Sequence, residues 1–113
     1  MNISKLSPSP VSNRCSFLLS SWKSVPTEAG CYCLATFDNH VLYVGQTKSM
    51  VRRFEEHLAD TTKTDPTCEG KAVWFYWLEY PLLQLNSLET AWINISIIED
   101  GKRPILNKID PPM

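Results

Sequence analysis

From Cys31 to Phe37 the chain is dense in β-prone side chains, Asp38-Asn39 is a turn signal, and His40 to Val44 is β-prone again. This pattern predicts a hairpin whose second strand ends at Gly45. From Ser49 to about Asp60 the spacing becomes helical, with Met50, Phe54 and Leu58 four apart and Val51 widening the apolar stripe. Thr61 to Gly70 is polar and broken by Pro66, which predicts a loop. Val73 to Leu78, VWFYWL, is a nearly continuous run of large apolar side chains, the pattern of a strand covered on both faces. Asn86 or Ser87 is placed to cap a second helix that runs to about Glu99, Gly101 stops it, and Pro104 opens an extended tail. The first 25 residues are rich in Ser, Pro and Asn around Phe17-Leu18-Leu19, and read as a partly irregular lead-in with one short helix before a domain over 26–113. The fold class expected is α+β, a small three-stranded antiparallel sheet flanked by helices.

Composition narrows the class without naming the chemistry. The 113 residues are 43% hydrophobic and 20% charged, those of one soluble domain with a core of its own. Eleven Lys and Arg against twelve Asp and Glu give a net charge of -1, so any polyanion partner must meet a local basic face. Lys48, Arg52, Arg53, Lys102, Arg103 and Lys108 are the cations available for one. No stretch is apolar and long enough for a secretory leader or a membrane span. Cys15, Cys31, Cys33 and Cys68 are read as mostly buried thiols in a cytoplasmic protein, since only His40 and His57 are present to complete a zinc site.

The chemistry comes from a constellation. Gly30-Cys31-Tyr32 and Tyr43-Val44-Gly45 are separated by ten residues, Cys33 through Leu42. A helical segment with Arg53 and His57 one turn apart follows, then Leu88-Glu89-Thr90-Ala91-Trp92-Ile93, then Arg103-Pro104-Ile105-Leu106-Asn107. In order and spacing these resemble the two signature triplets, the first catalytic helix, the metal-binding segment and the closing Pro-x-x-Asn of the GIY-YIG endonucleases, a family that includes homing endonucleases and the incision nuclease of excision repair. The resemblance covers roughly residues 26 to 109. Cys31 stands in place of the usual aliphatic residue, Gln46 stands where some members have lysine, and Glu89 lies farther from Asn107 than in the shortest members.

The resemblance implies a metal-dependent DNA endonuclease with catalytic positions Tyr32, Tyr43, Arg53, His57, Glu89 and Asn107. It also implies Mg²⁺ or Mn²⁺ on Glu89, substrate contacts from Gly45, Gln46, Lys48 and Arg52, and one tyrosine as general base with the other positioning the water or the phosphate. The residue types suit the task. A phenol needs a nearby cation to act as a base near neutral pH. Arginine presents a planar fork to phosphate oxygens, and a lone carboxylate suffices for a Mg²⁺ that keeps most of its waters. Taken singly, the tyrosines read as strand packing, Arg53 and His57 as a solvated helix edge, and Glu89 as an acid favoured by a helix N-terminus. The alternative function is a catalytically silent module that binds nucleic acid or a protein partner. The missing recognition domain leaves room for a second copy of the chain or a partner that selects the target.

Overall fold

The computed structural model describes residues 1–107. Its sheet has four antiparallel strands in the order β1-β4-β2-β3: β1 Arg14–Ser16, β2 Gly30–Ala35, β3 Val41–Thr47 and β4 Trp74–Glu79. The described residues also form three α-helices, α1 Met50–Leu58 and α2 Thr61–Thr64 between β3 and β4, and α3 Leu85–Asp100 after β4. The expected class is therefore right and the strand count is not. The fourth strand, β1, lies in the lead-in and pairs with Trp74, Phe75 and Tyr76 some sixty residues away. Three residues are too few to show an alternation of their own, and what holds β1 is tertiary. The Arg14 guanidinium stacks 3.9 Å over the Trp74 ring and donates to the Tyr76 hydroxyl at 3.2 Å.

The central strand β2 is buried at every residue, and its alternation divides the core in two. Cys31, Cys33 and Ala35 face the layer of Leu85, Leu88 and Trp92 on α3, with Met1, Ile3 and Leu6 in the same cluster. Tyr32 and Leu34 face the opposite layer of Met50 and Phe54 on α1, with Phe17, Phe75 and Val25. The spacing of Leu85, Leu88, Trp92 and Ser96 puts one stripe of α3 inward, while Ile97 and Ile98 stay exposed. Gly101 ends α3 in the left-handed conformation at φ 73°, as the sequence predicts.

Two local expectations change. The predicted loop after α1 contains α2, because Asp60 caps it by accepting from the Thr62 backbone N–H at 3.0 Å and from its hydroxyl at 2.7 Å. α3 begins at Leu85 with no side-chain cap, ahead of both Asn86 and Ser87, either of which was expected to cap it, and Asn86 bonds instead to Gln46.

Candidate active site at the edge of the sheet

β3 is one of the two edge strands, and its residues point alternately to the two layers. Tyr32 pairs directly with Gly45, and Leu34 with Tyr43, so the two tyrosines are diagonal neighbours on the α1 side, with ring centroids 6.0 Å apart. Gln46, opposite Cys31, turns to the α3 side. The open flank of β3 is closed by the C-terminal segment. Asn107 accepts from the Val44 N–H at 2.8 Å and donates to the Val44 carbonyl at 2.7 Å, so one amide side chain imitates a paired strand residue.

Strand β3 continues past Gly45 to Thr47, so this glycine does not end it as the sequence suggested. A Cβ at position 45 would lie 2.4 Å from the Tyr32 hydroxyl and 2.5 Å from its Cζ. Gly45 is the space into which Tyr32 packs.

His57 completes the aromatic group from α1. Its Nε2 is 2.6 Å from the Tyr32 hydroxyl, and its ring lies edge-on to Tyr43 with centroids 5.2 Å apart. Tyr32 and His57 are both buried, and burial sets their protonation. It lowers the His57 pKa to about 4, with the charges of Lys63 and Arg53 acting the same way and Asp60 opposing them. Burial also raises the Tyr32 phenol far above its usual range; Tyr43 adds to this by charge and by a hydrogen bond, while Arg53 opposes it. At neutral pH the hydrogen bond therefore joins a protonated Tyr32 phenol to an uncharged His57 imidazole. Tyr43 is only half-buried, and the Lys63 ammonium lies 4.9 Å from its ring centroid.

Beside this group, a cleft of about 570 Å³ opens between the start of α1 and the start of α3. Lys48, Arg52 and Arg53 line one wall, Leu82, Leu85 and Asn86 the other, and Gln46 lies between. Arg53 is exposed and makes an ion pair with Glu56 at 3.4 Å. On the α3 side, Gln46 donates to Glu89 Oε1 at 3.2 Å and to the side-chain Oδ1 of Asn86.

No cluster of three or more His, Cys, Asp or Glu side chains among the described residues could hold a metal ion. The donor set that remains, one half-buried carboxylate with amide side chains around it, fits a hard ion that retains most of its water, and does not fit zinc. Burial pushes Cys31 up to about 12, with the Glu89 charge adding to it, and Cys15 up to about 11, and Cys33 also rises, so these three are inert thiols, while Cys68 is exposed and not buried as expected.

The structure gathers the predicted positions into two adjoining sets. Tyr32, Tyr43 and His57 touch one another, while Gln46, Lys48, Arg52 and Arg53 share the cleft, with Glu89 attached through Gln46. Gly45 and Asn107 act on backbone and packing, through Tyr32 and Val44. Of the remaining cations, Lys102 pairs with Glu69, and Lys108 lies outside the described residues. Lys63, Asp60 and Asn86 were not among the site residues expected from the sequence. The first two sit on and before the short helix taken for a loop, where Asp-Thr-Thr at 60–62 was the available capping signal.

The family model of the GIY-YIG catalytic domain matches residues 28–96, which takes in Tyr32, Tyr43, Arg53, His57 and Glu89. No curated protein matches the chain.

Proposed function

The chain belongs to the GIY-YIG family, whose catalytic domains are generally nucleases, and on that premise we propose that it is a metal-dependent endonuclease hydrolysing phosphodiester bonds in DNA. The observation that carries this reading is the contact of Tyr43 with a buried Tyr32–His57 pair, one helical turn from an arginine that faces a cationic cleft. Of the two tyrosines, Tyr32 is buried, protonated and already bonded to His57, so the half-exposed Tyr43 is the general base for the attacking water. Tyr32 and His57 orient it. Arg53 and Arg52 receive the phosphate oxygens, Lys48 and Gln46 contact the neighbouring backbone, and Asn107 holds β3 in register beneath Tyr43 and Gly45.

Glu89 is the residue that would hold Mg²⁺ or Mn²⁺, kept in place by Gln46. When bound, such an ion supplies charge neutralisation to the phosphate and leaving oxygens. Lys48, Arg52 and Arg53 concentrate positive charge on one face of a chain whose net charge is -1, which supports a DNA substrate bound over a short footprint. Target choice then falls to a second copy or a partner protein. No helix among the described residues is long and apolar enough to cross a membrane, and four free cysteines are in keeping with a reducing cytoplasm.

A cleavage panel on duplex, nicked, flap and branched DNA, with and without Mg²⁺ or Mn²⁺, tests the reading. Cutting of at least one substrate only when metal is present is expected. Binding with no cutting under any condition would replace the enzyme with a silent binding module.

A further inference from the structure

Lys63 was not anticipated from sequence, and its surroundings give it a specific task. Its side chain is only 16% exposed, its ammonium sits 4.9 Å from the centroid of the Tyr43 ring, and Asp60 lies 3.7 Å from it as a counter-ion. The helix that carries it exists because Asp60 caps it, so the same aspartate that positions Lys63 also tempers its charge.

Among the described residues, Lys63 places a cation over the Tyr43 ring. From β2 comes Tyr32, a protonated phenol at neutral pH; from α1 come His57, uncharged there, and Arg53, paired with Glu56. From α3 the Glu89 charge reaches the pair through Tyr32, and from α2 come Lys63 and its partner Asp60. A cation over an aromatic face is attracted to the ring's negative quadrupole. It is attracted more when the ring is a phenolate, because the oxygen's charge spreads into the ring carbons.

We propose that Lys63 is a positioning residue for Tyr43, holding positive charge against the ring so that the phenolate form is favoured and the hydroxyl stays aimed at the site. That Tyr43 serves as a base rests on the nuclease reading above; the charge coupling between Lys63 and Tyr43 does not.

The coupling is read without DNA or metal. In the full chain labelled with ¹³C at tyrosine Cζ, NMR follows each of the four tyrosine signals with pH, and Tyr43→Phe assigns the one that reports Tyr43. Lys63→Met keeps the stem and deletes the charge, so the Tyr43 midpoint is expected to rise by about half a pH unit or more. Lys63→Arg restores it. Asp60→Asn keeps a good helix cap while removing the counter-ion, so it moves the midpoint the other way. An unchanged midpoint in Lys63→Met, or movement in the same direction for the methionine and asparagine variants, overturns the proposal. On DNA, the acid limb of the kcat/KM profile is expected to follow the same shifts. A change in KM alone, with an unmoved pH profile, would make Lys63 a phosphate contact and contradict the positioning role. Shifts in the NMR titration with no cleavage by the parent protein would retain the coupling and reject the nuclease reading.

Discussion

Tyr32 lies directly across the hairpin from Gly45, and its hydroxyl occupies the space where a Cβ at position 45 would stand, 2.4 Å away. The ring has no room to withdraw, since it stacks on Phe75 at 5.2 Å and is bonded to His57 on the far side. Gly45→Ala is therefore expected to cost about 2 kcal/mol by overpacking, a fall of several degrees in Tm. Tyr32→Phe in the same chain should restore only part of this, because Cζ remains 2.5 Å from the added methyl. A Gly45→Ala chain as stable as the parent would show that the strand can shift to make room.

Tyr32→Phe alone removes the hydroxyl that is hydrogen-bonded to a buried histidine. The Nε2 of His57 is left without its 2.6 Å partner, which costs about 1–3 kcal/mol, whereas Tyr43→Phe, at a half-exposed ring, should cost about 1 kcal/mol or less. Urea unfolding of the two variants checks the order. Equal losses would mean that the Tyr32–His57 bond contributes little.

His57 makes stability depend on acid. Its folded pKa of about 4 lies below the ordinary 6.5, so as pH falls the unfolded chain takes up the proton first. The stability associated with neutral burial is present above pH 6.5 and is lost as pH falls toward 4, by roughly 3 kcal/mol over the window. His57→Gln keeps an acceptor for Tyr32 and does not titrate, so its unfolding free energy should be flatter across that range. Parallel pH curves for the two proteins would contradict a neutral, buried His57. The same value moves any histidine break in a pH–rate profile out of the neutral range.

Glu89 is half-buried and bonded to Gln46, which lines the cleft, and it is not part of the apolar core. Glu89→Ala should leave Tm within a few degrees of the parent while removing Mn²⁺ binding measured by calorimetry. Undiminished Mn²⁺ affinity in the variant would take the ion elsewhere.

Sequence made some of this legible and hid the rest for physical reasons. Tyr32, Tyr43, Arg53 and His57 fall within 26 positions on one hairpin and one helix, where register and periodicity alone bring them to a common side. Strand β1 and helix α2 were hidden because three and four residues carry no period; one is held by pairing with β4 and by Arg14 on Trp74, the other by a single aspartate cap. Asn86 had the chemistry of a cap and was drawn off by Gln46. Gly45 announced a backbone requirement, but only the register with Tyr32 shows that the requirement is room for a phenol. Asn107 resembled a family residue in a tail, and its task on Val44 depends on a segment sixty residues away.

The most direct test of the account is single-turnover DNA cleavage by Tyr43→Phe with Mg²⁺, beside the parent protein on the best substrate of the panel. Loss of the general base is expected to slow cutting by on the order of a hundredfold or more, with Tm and Mn²⁺ affinity kept. Cutting at the parental rate by a folded, metal-binding Tyr43→Phe chain would contradict the tyrosine-base mechanism.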